Sequence, residues 1–183
     1  MTDTDVLIAG GGPAGLVLAL ELGARGVPCI LLNDAPHTAQ HPKANAVSSR
    51  TMEHLRRHGI SGRLRDRGLD ADHPTDLTYF TSLTGFELGR FRQPSRREAM
   101  AEARAGTGAW PSAEPPLRCS QIFLEEELKR AVDARESVDV RFGWKLTAFE
   151  DRSDDVSVDI ENTETGERMT VTSRYLVGCD GGN

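Results

Sequence analysis

The chain is poor in the features that mark several large functional classes. It carries only three cysteines, Cys29, Cys119 and Cys179, far apart and in no C-x-x-C pair. That excludes a disulfide framework and a paired-cysteine zinc or redox site, and the three are expected to be buried, reduced thiols of a cytoplasmic protein. No apolar run approaches the roughly 18 residues of a membrane span, and the start MTDTDVL lacks the basic segment of a signal peptide. There is no basic block either: 22 Lys and Arg stand against 28 Asp and Glu, for a formal charge of −6. Nucleic acid and membrane surfaces are therefore not expected partners, and a small molecule is. There is no internal repeat and no low-complexity tract.

Glycine is what the sequence does concentrate. The stretch DVLIAGGGPAG, Asp5 to Gly15, sets three consecutive glycines between an apolar run and the helix-like LVLALELGARG. Asp5 to Ala9 is a short apolar run of the kind buried on both faces of a sheet, and Pro13 stands where a first helical turn tolerates it. A helix to about Arg25, closed by Gly26, and a second buried run from Cys29 to Leu32 complete a β-α-β unit with parallel strands. Within it, Gly10, Gly12 and Gly15 have the dinucleotide-binding spacing. The first allows the tight turn, the second lets a pyrophosphate approach the backbone, and the third lets helix and strand pack closely. Pro13 and Ala14 lie at the same helix N-terminus, whose unpaired N–H groups favour an anion. At the end of the second strand, where an acidic residue usually meets the ribose, stand Asn33 and then Asp34.

Further along, Ser49 can cap a helix that begins near Arg50, and Ile60 to Arg67 adds a short amphipathic turn. LTYF and GFELGRF between Leu77 and Phe91 predict short strands. Gln93 to Pro116 has no firm period, is expected to be partly mobile, and contains a short helical pattern at Arg96 to Arg104. QIFLEEELKRAVDA, Gln121 to Ala134, places Ile122, Leu124 or Glu125, Leu128, Ala131 and Val132 near helical spacing and predicts an amphipathic helix with its charges outward, Glu125 to Glu127 reading as a solvent face. Alternating runs at Val138 to Phe142, Lys145 to Glu150, Val156 to Ile160 and Arg168 to Val171 predict an antiparallel meander. It leads back into a buried strand at Tyr175 to Cys179. His54 and His58 have a zinc-compatible spacing but no third ligand, and are expected to be surface residues with no metal site.

HPKANAVSSRTMEHLRRHGI, CSQIFLEEEL and YLVGCDGG follow the glycine motif in an order that resembles the class A flavoprotein monooxygenases. These are of the para-hydroxybenzoate and phenol hydroxylase type and include the aromatic polyketide hydroxylases. The resemblance covers nearly all of the chain except Gln93 to Pro116. It implies an α/β, Rossmann-like FAD-binding fold with a parallel sheet, an antiparallel β-meander and some strands of a substrate domain. The expected division is an FAD-binding part over 1–76, strands and a mobile segment of an incomplete substrate domain over 77–116, and a return to the FAD-binding domain over 117–183.

The resemblance further implies that Gly10, Gly12, Pro13, Ala14 and Gly15 hold the FAD pyrophosphate, with Asn33 or Asp34 facing the adenosine ribose. Lys43 stands where the family has a cofactor-contacting arginine. Arg50 matches an arginine on FAD phosphate or ribityl oxygens, Gln121 a glutamine near the flavin chain, and Asp180 with Gly181 an Asp-Gly contact shared by FAD and the nicotinamide donor. The implied activity is hydroxylation of a small aromatic substrate, with FAD reduced by NADPH or NADH. No catalytic base can be named. The sequence stops inside the Asp-Gly motif, so the expectation is an N-terminal part of an oxidoreductase, incompetent alone, with a second chain carrying the remaining half as one conceivable partner. The alternatives are a fragment of an FAD-dependent reductase, epoxidase or halogenase, and a non-enzymatic remnant that docks a partner chain.

Overall fold

The computed structural model describes residues 2–41, 43–107 and 112–181. The strands are β1 (Thr4–Ala9), β2 (Cys29–Asn33), β3 (Ala46–Val47), β4 (Leu77–Phe80), β5 (Glu87–Phe91), β6 (Leu117–Arg118), β7 (Val138–Phe142), β8 (Trp144–Asp151), β9 (Val156–Asn162) and β10 (Arg168–Gly178). The helices are α1 (Pro13–Gly23), α2 (Ser49–Arg57), α3 (Ser61–Asp66), α4 (Arg96–Ala105) and α5 (Gln121–Asp133). The chain divides into two compact units, Met1–Lys43 with Gln121–Asn183, and Ala44–Ser120.

The first unit is built on a six-stranded sheet of order β7-β2-β1-β10-β9-β8. β7, β2, β1 and β10 run parallel, while β9 and β8 continue the sheet antiparallel. Apolar runs with no polar alternation suit β1 and β2 because both faces are covered. Leu7, Ile30 and Leu32 share one core with Val158, Ile160 and Val171 of the meander. Side chains alternate along a strand, so Ile8 and Leu31 point to the opposite face. There α1 packs on β1 and β2 and against α5, with Leu16, Leu20 and Leu128 fully buried. β8 touches β2 although three strands separate them in the order. The sheet therefore curls until the meander lies over the parallel strands, giving three layers.

Several local expectations need correction. Val138 to Phe142 is not part of the meander: β7 pairs parallel with β2. The runs at Arg168 and Tyr175 are one strand, whose first half pairs with β9 and whose second half pairs with β1. α1 ends at Gly23 with Ala24 as its cap, and the chain turns at Gly26, whose φ is +69°. Ser48, not Ser49, caps α2, its Oγ accepting the Thr51 N–H at 3.2 Å. Glu125 and Glu127 do not face solvent; both are buried.

In the second unit β3 pairs with β6, and β4 with β5, both antiparallel. Val47, Met52, Leu55, Ile60, Leu64 and Leu117 are buried there. α4 opens with a reciprocal Ser95–Glu98 capping box, the local reason a helix forms inside an otherwise aperiodic stretch. A buried ion pair joins α3 to the segment before β6: Arg65 Nη2 donates to Glu114 Oε2 at 2.6 Å and to the Pro115 carbonyl at 2.8 Å. Ser61 Oγ donates to the other Glu114 oxygen at 3.3 Å. The β4–β5 ribbon, by contrast, exposes Tyr79, Phe80, Phe86, Leu88 and Phe91. Among the described residues no helix is long and apolar enough to cross a membrane, and no group of three or more His, Cys, Asp or Glu side chains is placed to hold a metal.

Candidate functional site

The glycine turn follows directly from the ends of three parallel strands. Gly10 continues the pairing of β1, donating its N–H to the Leu32 carbonyl at 2.9 Å. On its other side the Cys179 N–H donates to the Ala9 carbonyl at 2.6 Å. This leaves Gly10 against the end of β10. A Cβ on it would lie 2.3 Å from the Cys179 carbonyl and 2.6 Å from the Asp180 nitrogen, and its φ of +117° disfavours any side chain. A Cβ on Gly15 would lie 1.9 Å from the Gly10 oxygen, so helix and turn touch backbone to backbone. These two glycines are required by the protein's own packing.

Gly12 is different. Its φ is −75° with an extended ψ, which any residue adopts, and an added Cβ would meet no atom within 4 Å. Nothing inside the chain asks for glycine at this position. It is also the N-cap of α1, where it supplies no side chain to satisfy the first-turn N–H groups; Pro13 follows at N1, and no acidic residue occupies the first turn. The result is a helix N-terminus with uncapped donors, a favourable end dipole and clear space above the backbone. Such an arrangement accepts an anion that comes close to the main chain.

Gly11, which spacing alone does not single out, is the third constrained glycine. Its N–H donates to Asn33 Oδ1 at 3.1 Å, and a Cβ would lie 2.7 Å from the Asn33 Cβ and 3.0 Å from the Phe142 ring. The uninterrupted glycine triplet was the one signal for it. Asn33 closes the same knot from the end of β2, its Nδ2 donating to the Ala35 carbonyl at 2.9 Å. Asp34 beside it is exposed, with Oδ1 accepting the Ala35 N–H at 2.8 Å.

The far end of that loop is held by α5. Gln121, the first residue of the helix, donates through Nε2 to Glu125 Oε1 at 2.6 Å, and Glu125 Oε2 accepts the Ala39 N–H at 2.7 Å. Asp180 and Gly181 leave the end of β10 exposed beside the glycine turn. The first unit thus brings together Gly10 to Gly15, Asn33, Asp34 and Asp180, while Lys43 is exposed where that unit's first segment ends. Arg50 belongs to the second unit, on α2, exposed and paired with Glu53 at 3.3 Å. That unit has a recess of about 320 Å³ walled by Val47, Leu69, Leu77, Pro94 and Leu117, with Arg96 and Arg118 also in its lining.

The thiols do not belong to this chemistry. Burial pushes Cys29 up to about 11 and also raises Cys119; Cys179 is raised by burial and then by the neighbouring Asp180 carboxylate. All three are free and protonated at neutral pH.

Residues 3–183 match the family model described as the FAD binding domain. The chain belongs to this family. As an FAD-binding domain it is 34% identical to the 2,4-dichlorophenol 6-monooxygenase of Cupriavidus pinatubonensis over 99% of its own length and 29% of the relative's. It is 32% identical to the aklavinone 12-hydroxylase of Streptomyces peucetius subsp. caesius, over 98% of this chain and 36% of that one. Among solved structures, the flavin-dependent monooxygenase PieE in complex with FAD and substrate superposes with a TM-score of 0.83 at 33% identity, covering 100% of this chain and 31% of that chain. The FAD-binding domain therefore spans about a third of the length of the relatives it matches. The family and the Rossmann-like fold implied by the four motifs are the ones found.

Proposed function

We propose that the chain is the FAD-holding part of an NAD(P)H-dependent monooxygenase that hydroxylates a small aromatic substrate. The observation that carries this reading is Gly12, a glycine with nothing packed against it and a φ that any residue adopts, set at a helix N-terminus without a side-chain cap. A pyrophosphate fits there: it needs close backbone approach and N–H donors, and no acidic residue occupies the first turn of α1.

In this reading Gly10 to Gly15, including Pro13 and Ala14, form the pyrophosphate cradle. Of the two candidates for the ribose, Asp34 is the better placed, because both polar ends of the Asn33 amide are engaged with Gly11 and Ala35. Gln121 is assigned to the flavin chain, Lys43 and Arg50 to cofactor anions, and Asp180 with Gly181 to the contact shared with the nicotinamide donor. Bound FAD, reduced by NADH or NADPH, supplies the electrons for oxygen insertion into the ring, which is chemistry of the cofactor and not of a side chain. Support for an aromatic substrate comes from the apolar recess of the second unit and from the phenol and polyketide hydroxylases among the relatives.

A fluorescence titration of the purified chain with FAD tests the reading. Saturable binding that ADP displaces, since ADP carries the pyrophosphate without the flavin, is the expected result. A folded chain that binds neither FAD nor ADP would overturn it.

A further inference from the structure

Glu125 is only 3% exposed, yet neither of its partners is a cation. It accepts the Gln121 side-chain amide with one oxygen and the Ala39 main-chain N–H with the other. Burying a carboxylate on two neutral donors is an expensive way to fill space next to Leu124 and Leu128, where an apolar side chain would carry no desolvation penalty. What the carboxylate does that leucine would not is fix two groups at once. Both Glu125 oxygens act as acceptors, so the Gln121 amide turns its NH₂ toward one of them. Its carbonyl oxygen is then the end directed away from Glu125. The second oxygen pins Ala39, at the far end of the loop that Asn33 pins at its near end.

We propose that Glu125 is a positioning residue for the cofactor site. It presets Gln121 so that a carbonyl acceptor is offered to a ribityl hydroxyl of FAD, and it holds the loop after β2 through the same carboxylate. The inference rests on the FAD reading above and adds to it a residue that touches no part of the cofactor. Two acceptor oxygens are needed at fixed positions 2.6 and 2.7 Å from their donors, which explains why neither leucine nor glutamine is an equivalent.

The test is a pair of titrations, with FAD and with ADP, on the full chain and on Glu125→Leu, Gln121→Ala and the double variant, with hydrogen exchange read at the Ala39 amide. ADP reports the glycine cradle and the adenosine-ribose contact without the flavin chain, so the ratio of FAD to ADP affinity cancels any general loss of folding. The expected results are loss of Ala39 protection in Glu125→Leu and a fall of about tenfold in that ratio, with no further fall when Glu125→Leu is added to Gln121→Ala. Glu125→Gln, which keeps the volume, covers a leucine variant that does not fold; its ratio falls about threefold. An unchanged ratio, or the same fall in the Gln121→Ala background, would overturn the role through Gln121. Unchanged Ala39 exchange would overturn the pinning of the loop. Failure of the unmodified chain to bind either ligand would overturn the FAD reading itself, and is distinguished by needing no variant.

Discussion

A single methyl group has opposite consequences at Gly12 and Gly15. At Gly15 it would lie 1.9 Å from the Gly10 oxygen, far inside van der Waals contact, so the first turn of α1 must lift from the strand end. Gly15→Ala is expected to lose about 1–3 kcal/mol of stability, as overpacked sites do. Gly12→Ala meets no atom and is expected to lose no more than about 1 kcal/mol, the difference between glycine and alanine at an N-cap. Urea unfolding of the two variants checks both. Glycine spacing was legible because it encodes local backbone geometry. Gly11 and Glu125 were not, since the reason for each lies in a contact from a distant segment: Asn33 and Phe142 for the first, Ala39 for the second. Helical spacing leaves Leu124 or Glu125 at the inner position, and an acidic run on an amphipathic helix reads as solvent-facing because the pattern does not show what comes to cover it.

Cys29 gives a residue-scale prediction in pH. Burial raises its pKa from 9.0 to about 11 in the folded chain, so between those values the unfolded state binds fewer protons than the folded one. Stability then falls as pH rises through this window, and the Cys29 contribution levels off above it. Cys29→Ala removes that slope. Urea midpoints measured across the window for both chains isolate the thiol, because every other titrating group is common to them.

At the scale of elements, the buried Arg65–Glu114 pair carries the clearest expectation. Each side chain is about 10% exposed, and Glu114 collects bonds from Arg65 and Ser61 while Arg65 also reaches the Pro115 carbonyl. Removing one partner leaves a buried charge unmatched, so Glu114→Ala is expected to destabilise the second unit by about 3–5 kcal/mol. Replacing both partners together, Arg65→Met with Glu114→Leu, is expected to recover most of that loss. A double-mutant cycle by thermal unfolding measures it. No sequence pattern announced this pair, because its members stand 49 residues apart and Glu114 lies in a stretch without period. β1, α1 and β2 were legible for the opposite reason: burial on both faces, a proline at N1 and short connections all act within a few residues. β7 was misassigned because its alternation records its own faces and says nothing of its neighbour, which is the parallel β2. β10 was split in two for a related reason, since its pattern changes where its partner changes from β9 to β1.

At the scale of the whole molecule, the sequence excluded more than it named. Net acidity, scattered cysteines and the lack of long apolar runs pointed to a small-molecule partner, and the match over residues 3–183 to the FAD binding domain agrees with that direction. Four motifs in order carried the family, because each one stands at a strand end or helix start where backbone geometry constrains residue type. The substrate was not legible, since the recess of the second unit is walled by ordinary apolar residues such as Leu69 and Leu77 that carry no spacing signal.

In the proposed site, Gly12 is glycine to admit a ligand and not because anything in the chain packs against it. FAD titration of Gly12→Val beside the unmodified chain, with thermal unfolding of both, tests it most directly. The variant is expected to fold cooperatively, with at most the modest loss of an N-cap substitution, and its FAD affinity to drop by at least about tenfold. A stable variant that binds FAD as tightly as the unmodified chain would contradict it.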